Sequence, residues 1–326
     1  MMNHLIAIGC AYMIDQIIGD PPDWPHPVKM FGRMIAWFDR RFNCGNYRRL
    51  NGLLMVCFLI IVVFAVSLGI VYLSYRIHPW LGIGVEAILI ATTIAQKGLK
   101  DAALAVVTPL ECGDFPAARE QLSHIVGRDT DHLDEAEIVR GTVETVAENI
   151  SDGITAPIFW AFIGGAPLAL VYRLINTCDS MVGYTNKTYN HFGWASAKID
   201  DIVNYIPARL TGLVIMTVKK PVHTSYRKAW TIVRRDVRKH TSPNSGWGEA
   251  PVASILGIQL GGINYYQGEQ SIRNTMGSAF EPLHIKHIYQ TISVMRRTVF
   301  IFLVMLILGG LAIETTITWL ESTIRL

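Results

Sequence analysis

Between Asn176 and Gly212 the chain reads NTCDSMVGYTNKTYNHFGWASAKIDDIVNYIPARLTG. Asn176 and Asp179 are one helical turn apart, and Asp200, Asp201 and Asn204 repeat that spacing as D-D-x-x-N. Carboxylates and amides placed this way can chelate a magnesium ion whose other ligands are phosphate oxygens. Lys187, Lys198 and Arg209 lie among them, and Arg173 stands just before. Such cations neutralise phosphate. The same residues also have a plainer use as internal ion pairs, Asp201 with Arg209 or with Lys198. The setting is unusual, because apolar sequence flanks the stretch on both sides. Ionisable groups beside membrane segments are expensive, and the first reading of them is a functional site or a pair.

Three further clusters carry similar chemistry. In AENISDGITAP (147–157), Glu148 and Asp152 share a face if the helix continues, with Asn149 and Ser151 beside them. Two like charges there call for a cation or for protons; the plainer reading is a solvated helix end closed by Gly153. In GDPPDWPHPVKMFGR (19–33), prolines stiffen a turn bearing Asp20, Asp23, His26, Lys29 and Arg33. Taken alone this is an interhelical loop, with His26 as its candidate phosphate contact. In HTSPNSGWGEAP (240–251), Ser242, Asn244, Ser245 and Gly246 form a small polar turn opening onto a predicted helix, 249–258. Free N–H groups at a helix start suit an anion, although an ordinary helix entry looks the same. Arg128, with Asp129 and Thr130, either clamps a phosphate or caps the helix that follows.

Other chemistries are not supported. His284 and His287 lack a third ligand at a useful spacing, and the five cysteines contain no C-x-x-C pair. No Walker A loop or G-x-S-x-G elbow occurs. A net charge of +3 gives no general nucleic-acid footprint.

The elements that must position these groups are membrane helices. The 326 residues are 51% hydrophobic and only 17% charged. Residues 51–75 contain no Asp, Glu, Lys, Arg or His, and 298–320 form a second strong span. About 20 apolar residues cross a hydrocarbon core. Weaker membrane segments are 3–19, 81–96, 154–175 and 203–218, and the apolar start lacks the marks of a cleaved signal peptide. Residues 97–153 read as a cytoplasmic insert. Its helix is capped by Thr130 or Asp131 and carries an apolar stripe of Ile138, Val143, Val146 and Ile150. Residues 219–240 hold eight Lys or Arg, with Tyr226, Trp230, Val233 and Val237 at helical spacing. That pattern fits a helix on an anionic membrane face or an ordinary solvated helix. Arg40, Arg41, Arg48 and Arg49 place the loop before residue 51 on the cytoplasmic side. Pro157, Gly164-Gly165 and Pro167 interrupt 154–175. A bent or re-entrant element there keeps 176–201 open to the cytoplasm. The expectation is a single all-α polytopic membrane domain over 1–326, with a helical insert and broken segments.

These residues resemble one family closely. VETVAENISDGITAPIFW (143–160), GAPLALVYRLINTCDSMVGY (165–184), FGWASAKIDDIVNYIPARLTG (192–212) and SPNSGWGEAPVASILGIQLGG (242–262) occur in order. With GDP (19–21), HPV (26–28), RDT (128–130) and YYQG (265–268), they are similar to the adenosylcobinamide-phosphate synthase family, CbiB/CobD, over nearly the whole chain. Cys178 and Gly248 are small departures, at positions where variation is expected.

The resemblance implies a multi-pass inner-membrane enzyme of cobalamin biosynthesis. It would join adenosylcobyric acid to (R)-1-amino-2-propanol O-phosphate, or a related amino alcohol, with ATP as driving force. Other late cobalamin-assembly enzymes are natural partners. Joined to the residue reading, this makes Glu148, Asp152, Asp179, Asp200 and Asp201 the candidate catalytic carboxylates. Glu148, Asp179, Asp200 and Asp201 are the candidate magnesium ligands. His26, Arg128, Asn149, Asn176, Lys187, Lys198, Arg209, Ser242 and Asn244 are the candidate substrate and phosphate contacts. Two rival classes share the same features. One is a magnesium-dependent transferase acting on a lipid diphosphate; the other is a non-enzymatic transporter or sensor subunit.

Overall fold

Apolar periodicity becomes helix nearly throughout the chain. The computed structural model describes residues 2–19, 21 and 26–324, so Asp20 and Asp23 of the proline-stiffened turn lie outside the described residues. The first helices are α1 (Met2–Ile17), α2 (Pro27–Phe42), α3 (Arg48–Ile77), α4 (Pro79–Ala91), α5 (Gln96–Glu111) and α6 (Phe115–Ser123). Then come α7 (Glu135–Ile150), α8 (Ala156–Val182), α9 (Trp194–Val203), α10 (Tyr205–Val218), α11 (Tyr226–Asp236) and α12 (Gly246–Leu256). Strands β1 (Gln259–Tyr266) and β2 (Glu269–Gly277) precede the last helix, α13 (Lys286–Ile324).

Among the described residues, four helical stretches are long and apolar enough to cross a membrane: Arg48–Ile77, Pro79–Glu111, Glu135–Val182 and Lys286–Thr318. α10 is a shorter apolar helix. The outward faces agree: α3 exposes Leu54, Phe58, Ile61 and Leu73, and α13 exposes Phe300 and Leu308. A helix that turns large apolar side chains outward is built for hydrocarbon rather than water. The protein is a predominantly helical, polytopic membrane protein.

The chain divides into two compact units. The first comprises Met1–Ala95, Gly153–Asn204 and Phe302–Leu326; the second comprises Gln96–Asp152 and Tyr205–Ile301. In the first, Phe31 and Ile35 of α2, Met55 and Leu59 of α3, Leu174 and Cys178 of α8, and Phe192 form one buried cluster. α8 is broken, as its sequence predicts. Gly164 (φ −152°, ψ 30°) and Gly165 (φ 66°, ψ −160°) leave helical geometry. Pro167 follows, and its ring cannot coexist with a regular helical carbonyl four residues earlier. A π turn, Ser151–Thr155, precedes α8.

The second unit is organised by α7, which is buried on most of its surface, including all four residues of the predicted stripe. Its start differs from expectation. Neither Thr130 nor Asp131 caps it. Asp134 does, in a capping box: Glu137 N–H donates to Asp134 Oδ1 (2.8 Å), and Asp134 N–H donates to Glu137 Oε2 (3.0 Å). Satisfying two orphan donors at once outcompetes a single cap.

The β-hairpin is an addition to the expected helices. Its two-residue turn, Gln267 (φ 53°) and Gly268 (φ 79°), has the left-handed geometry that hairpins favour. Asp129 secures this turn by accepting from Gln267 N–H (3.1 Å) and Gly268 N–H (2.8 Å). Asp129 therefore holds a hairpin rather than a phosphate or a helix end.

α11 buries Ala229, Ile232, Val233 and Asp236, while Tyr226 is exposed and Trp230 only half-buried. The inward stripe thus starts at Ala229 and not at Tyr226. Burial raises the Asp236 carboxyl, but Arg235 and Lys239 clasp it and Gly277 N–H donates to it, so it titrates below the usual range.

A second acidic anchor precedes α13. Glu281 takes Lys286 Nζ at 2.5 Å and His287 Nε2 and His223 Nε2 each at 3.1 Å. Lys286 above all, then His287 and His223, holds Glu281 down at about 2. The unfolded chain protonates this group below about pH 4.3. Its contribution to stability is therefore full above that value and lost as pH falls towards 2. Thermal unfolding of Glu281→Gln in detergent between pH 5 and pH 3 should show a flatter acid limb than wild type. Parallel limbs would reject this anchor.

Candidate functional site

In the second unit, α7 presents Arg140, Glu144 and Glu148 at successive i+4 positions, a charged stripe on a buried helix. Glu144 accepts from Arg128 Nη1 (2.8 Å) and from Gly261 N–H (2.7 Å). Arg128 Nη1 also donates to Asn264 Oδ1 (2.6 Å). Arg140 donates to Gly261 O (2.5 Å), Ile263 O (2.7 Å) and Asn264 Oδ1 (3.2 Å). These bonds fasten β1 to α7. Gly141 makes room for them, since a Cβ there would lie 2.6 Å from Arg128 Nη2.

Glu249 continues the network. It is fully buried, with Arg273 Nη2 at 3.1 Å and His240 Nε2 at 3.5 Å from Oε1, and Arg273 also meets His240. Burial pushes the Glu249 carboxyl well above the usual range against Arg273, and Glu144 and Glu148 push the same way. Burial lowers His240, opposed by Glu148. Arg273 titrates above its ordinary value: burial opposes its charge, but Glu249, Glu144 and Glu148 favour it more. Three carboxylates and three guanidiniums thus balance inside one unit.

At the edge of this network lies the 242–246 turn. Gly248 backs directly onto the Ala147 carbonyl, leaving no space for a Cβ. That close approach brings the start of α12 against α7, and Ser245 Oγ donates to Glu148 Oε1 (2.7 Å). Ser242 Oγ accepts from Asn244 N–H (3.2 Å) and Ser245 N–H (3.5 Å). Asn244 Oδ1 accepts from Arg209 Nη1 (3.1 Å), whose guanidinium stacks 3.2 Å over the Tyr205 ring. Glu148, Arg209, Ser242 and Asn244, all singled out from sequence, therefore gather around one turn. Glu148, Arg209 and Ser242 are only half-buried.

The remaining expected residues of the second unit are placed differently. The α-helix ends at Ile150 and a π turn begins at Ser151, so the step from Glu148 to Asp152 crosses a change of helical pitch. Asn149 Nδ2 donates back to Thr145 O (2.9 Å). The Nη1 of Arg128, expected to clamp phosphate, is committed to Glu144 and Asn264.

In the first unit, Asn176 and Asp179 sit half-buried near the end of α8, and Asp200 and Asn204 are buried on and just after α9. Trp160 Nε1 donates to Val203 O (3.1 Å), tying α9 to α8. Lys198 pairs with Asp201 (3.3 Å), the plainer of the uses read from sequence, and Lys187 is exposed in a loop. His26 caps α2, its Nδ1 accepting from Val28 N–H (3.3 Å). Cys178 is buried, and Gly248 leaves no room for a Cβ.

Among the described residues, no group of three or more His, Cys, Asp or Glu side chains is arranged to hold a metal ion. Glu148 belongs to one unit; Asp179, Asp200 and Asp201 belong to the other. Neither unit by itself gathers a group of three such ligands among the described residues. Sequence reasoning passed over Arg140, Glu144, His240, Glu249, Asn264 and Arg273. The Arg140-Glu144-Glu148 spacing was the one local signal that would have found part of this set.

Fold and site together define a polytopic helical membrane protein with a charged interior network and an accessible carboxylate–arginine turn. A family model described as CobD/Cbib protein matches residues 8–295. The chain is 52% identical over 308 residues to cobalamin biosynthesis protein CobD of Halalkalibacterium halodurans, covering 94% of this chain and 97% of that protein. It is 44% identical over 315 residues to cobalamin biosynthesis protein CobD of Clostridium perfringens, covering 96% and 100%. It is 44% identical over 295 residues to cobalamin biosynthesis protein CbiB of Salmonella typhimurium, covering 89% and 92%. No solved structure matches. The chain belongs to the CobD/CbiB family.

Proposed function

We propose that the protein serves cobalamin assembly by ATP-dependent amide formation, joining adenosylcobyric acid to 1-amino-2-propanol O-phosphate or a related amino alcohol. Family membership supports the pathway. The observation that carries the reaction type is the 242–246 turn, which holds a carboxylate, Glu148, and a guanidinium, Arg209, on one small polar frame. A half-buried carboxylate can take a proton from an attacking ammonium. A guanidinium stacked on an aromatic ring keeps its charge available for phosphate oxygens.

The free propionate of the corrinoid attacks the γ-phosphorus of ATP, and ADP leaves. The amine nitrogen then attacks the activated acyl carbon, the C–O bond to phosphate breaks, and phosphate departs with the electron pair. Glu148 accepts the proton shed by nitrogen. Asp179, one turn from Asn176, is assigned to substrate polar groups. The site is assigned to the cytoplasmic side.

Sealed inverted vesicles test both claims. Adenosylcobyric acid, ATP, magnesium and aminopropanol phosphate supplied outside should yield one amide product per ADP. No product, or product without ATP, would remove the reaction; product only in right-side-out vesicles would reverse the orientation.

A further inference from the structure

Among the described residues, the apolar part of the first unit contains a fully buried carboxylate that the proposed reaction does not use. Glu86 lies in α4 with no exposed surface. It draws on three other elements. Tyr75 OH of α3 donates to Oε2 (2.7 Å), His4 Nδ1 of α1 shares a hydrogen bond with Oε1 (2.8 Å), and Ala166 N–H of α8 donates to Oε1 (3.2 Å). Two glycines make room. Gly82, one turn before Glu86, lies so close to the Tyr75 ring that a Cβ would collide with it, and a Cβ on Gly165 would run into Glu86 Oε1 and approach the His4 ring.

Ala166 is where α8 resumes after its break at Gly164-Gly165. The break frees N–H groups that a regular helix would satisfy internally, and hydrocarbon offers them no partner. The carboxylate supplies one, and a negative charge suits a helix start. A helix end left without such a bond inside a membrane has no reason to keep one direction.

We propose that Glu86 is a positioning residue that holds the break in α8 and so sets the direction of the segment Ala166–Val182, which carries Asn176 and Asp179. Its mechanical part rests on the geometry alone. Its effect on turnover rests on the role assigned to Asp179 in the proposed function.

Glu86→Gln keeps the arrangement, because an amide oxygen accepts from Ala166 and His4 while its N–H can donate to the Tyr75 oxygen. Glu86→Ala removes all three bonds. Spin labels at Ile163 and Tyr184, both exposed and on opposite sides of the break, report the direction of the second half. The labelling background replaces the exposed Cys10, Cys44, Cys57 and Cys112 by serine and leaves the buried Cys178. In Glu86→Ala the label–label distance distribution should shift and widen, and kcat should fall about 100-fold with little change in KM. Glu86→Gln should restore both. Tyr75→Phe, which deletes one bond, should move both readouts in the same direction by less, and it serves if the alanine variant fails to fold. An unchanged distance distribution in Glu86→Ala, or in Tyr75→Phe where that variant stands in, overturns the proposal. A shifted distribution with full turnover upholds the positioning and removes Asp179 from the reaction.

Discussion

Replacing Glu148 with Gln is expected to lower the rate of amide formation by about 100- to 10,000-fold, the range associated with loss of a general base. Gln has the shape of Glu, and its amide oxygen can still accept the Ser245 hydroxyl that Glu148 Oε1 accepts at 2.7 Å. The turn and its Arg209–Asn244 bond should therefore survive, and the thermal midpoint should stay close to wild type. What disappears is a negative charge and a proton acceptor. The neighbouring carboxylate offers no substitute, because Glu249 is fully buried and engaged with Arg273 at 3.1 Å. Initial rates with all substrates saturating provide the measurement. A Gln variant that turns over at the wild-type rate would take Glu148 out of the chemistry.

The second large effect concerns stability. Arg128→Met is expected to destabilise the protein by about 3–5 kcal/mol, the cost of breaking a buried pair from one side. Both partners are 5% exposed at the side chain, and Arg128 Nη1 serves Glu144 and Asn264 together. Met fills similar volume but removes the direct ion-pair partner of Glu144, leaving it the Gly261 N–H hydrogen bond and the more distant guanidiniums of Arg140 and Arg273. Adding Glu144→Gln should recover part of the loss, because the stranded group is then neutral and still accepts from Gly261. Unfolding midpoints of the two single variants and the double variant form the comparison. Purely additive losses would mean that the two side chains are not coupled.

The positions of the helices were legible because helix formation answers to local pattern. Residues 51–75 lack any Asp, Glu, Lys, Arg or His and become the centre of α3. Gly164, Gly165 and Pro167 announce a break, and α8 breaks there. The 242–246 turn opens a helix as its composition foretells. Legibility fails where a residue's use depends on distant chain. Asp129 looks like a phosphate clamp or a helix cap, yet its partners are Gln267 and Gly268. Thr130 and Asp131 look like caps until the Asp134–Glu137 box is counted. The hairpin itself was obscured because Gly261 and Gly262 dilute the alternation that marks a strand, and a register shift falls between Leu260 and Gly262.

By itself the sequence determined that this is a helical membrane protein, where its helices break, which residue types it has for phosphate and carboxylate chemistry, and through its ordered motifs which family it resembles. These are properties of composition and short-range spacing, set within a few turns of chain. The tertiary structure decided which charges meet. Arg140 finds the carbonyls of Gly261 and Ile263, Glu148 finds Ser245, and Glu86 finds Ala166. Each of these bonds joins residues about 80 or more positions apart, and each is imposed by burial, since a charged or polar group removed from water must take whatever partner the packing places within reach.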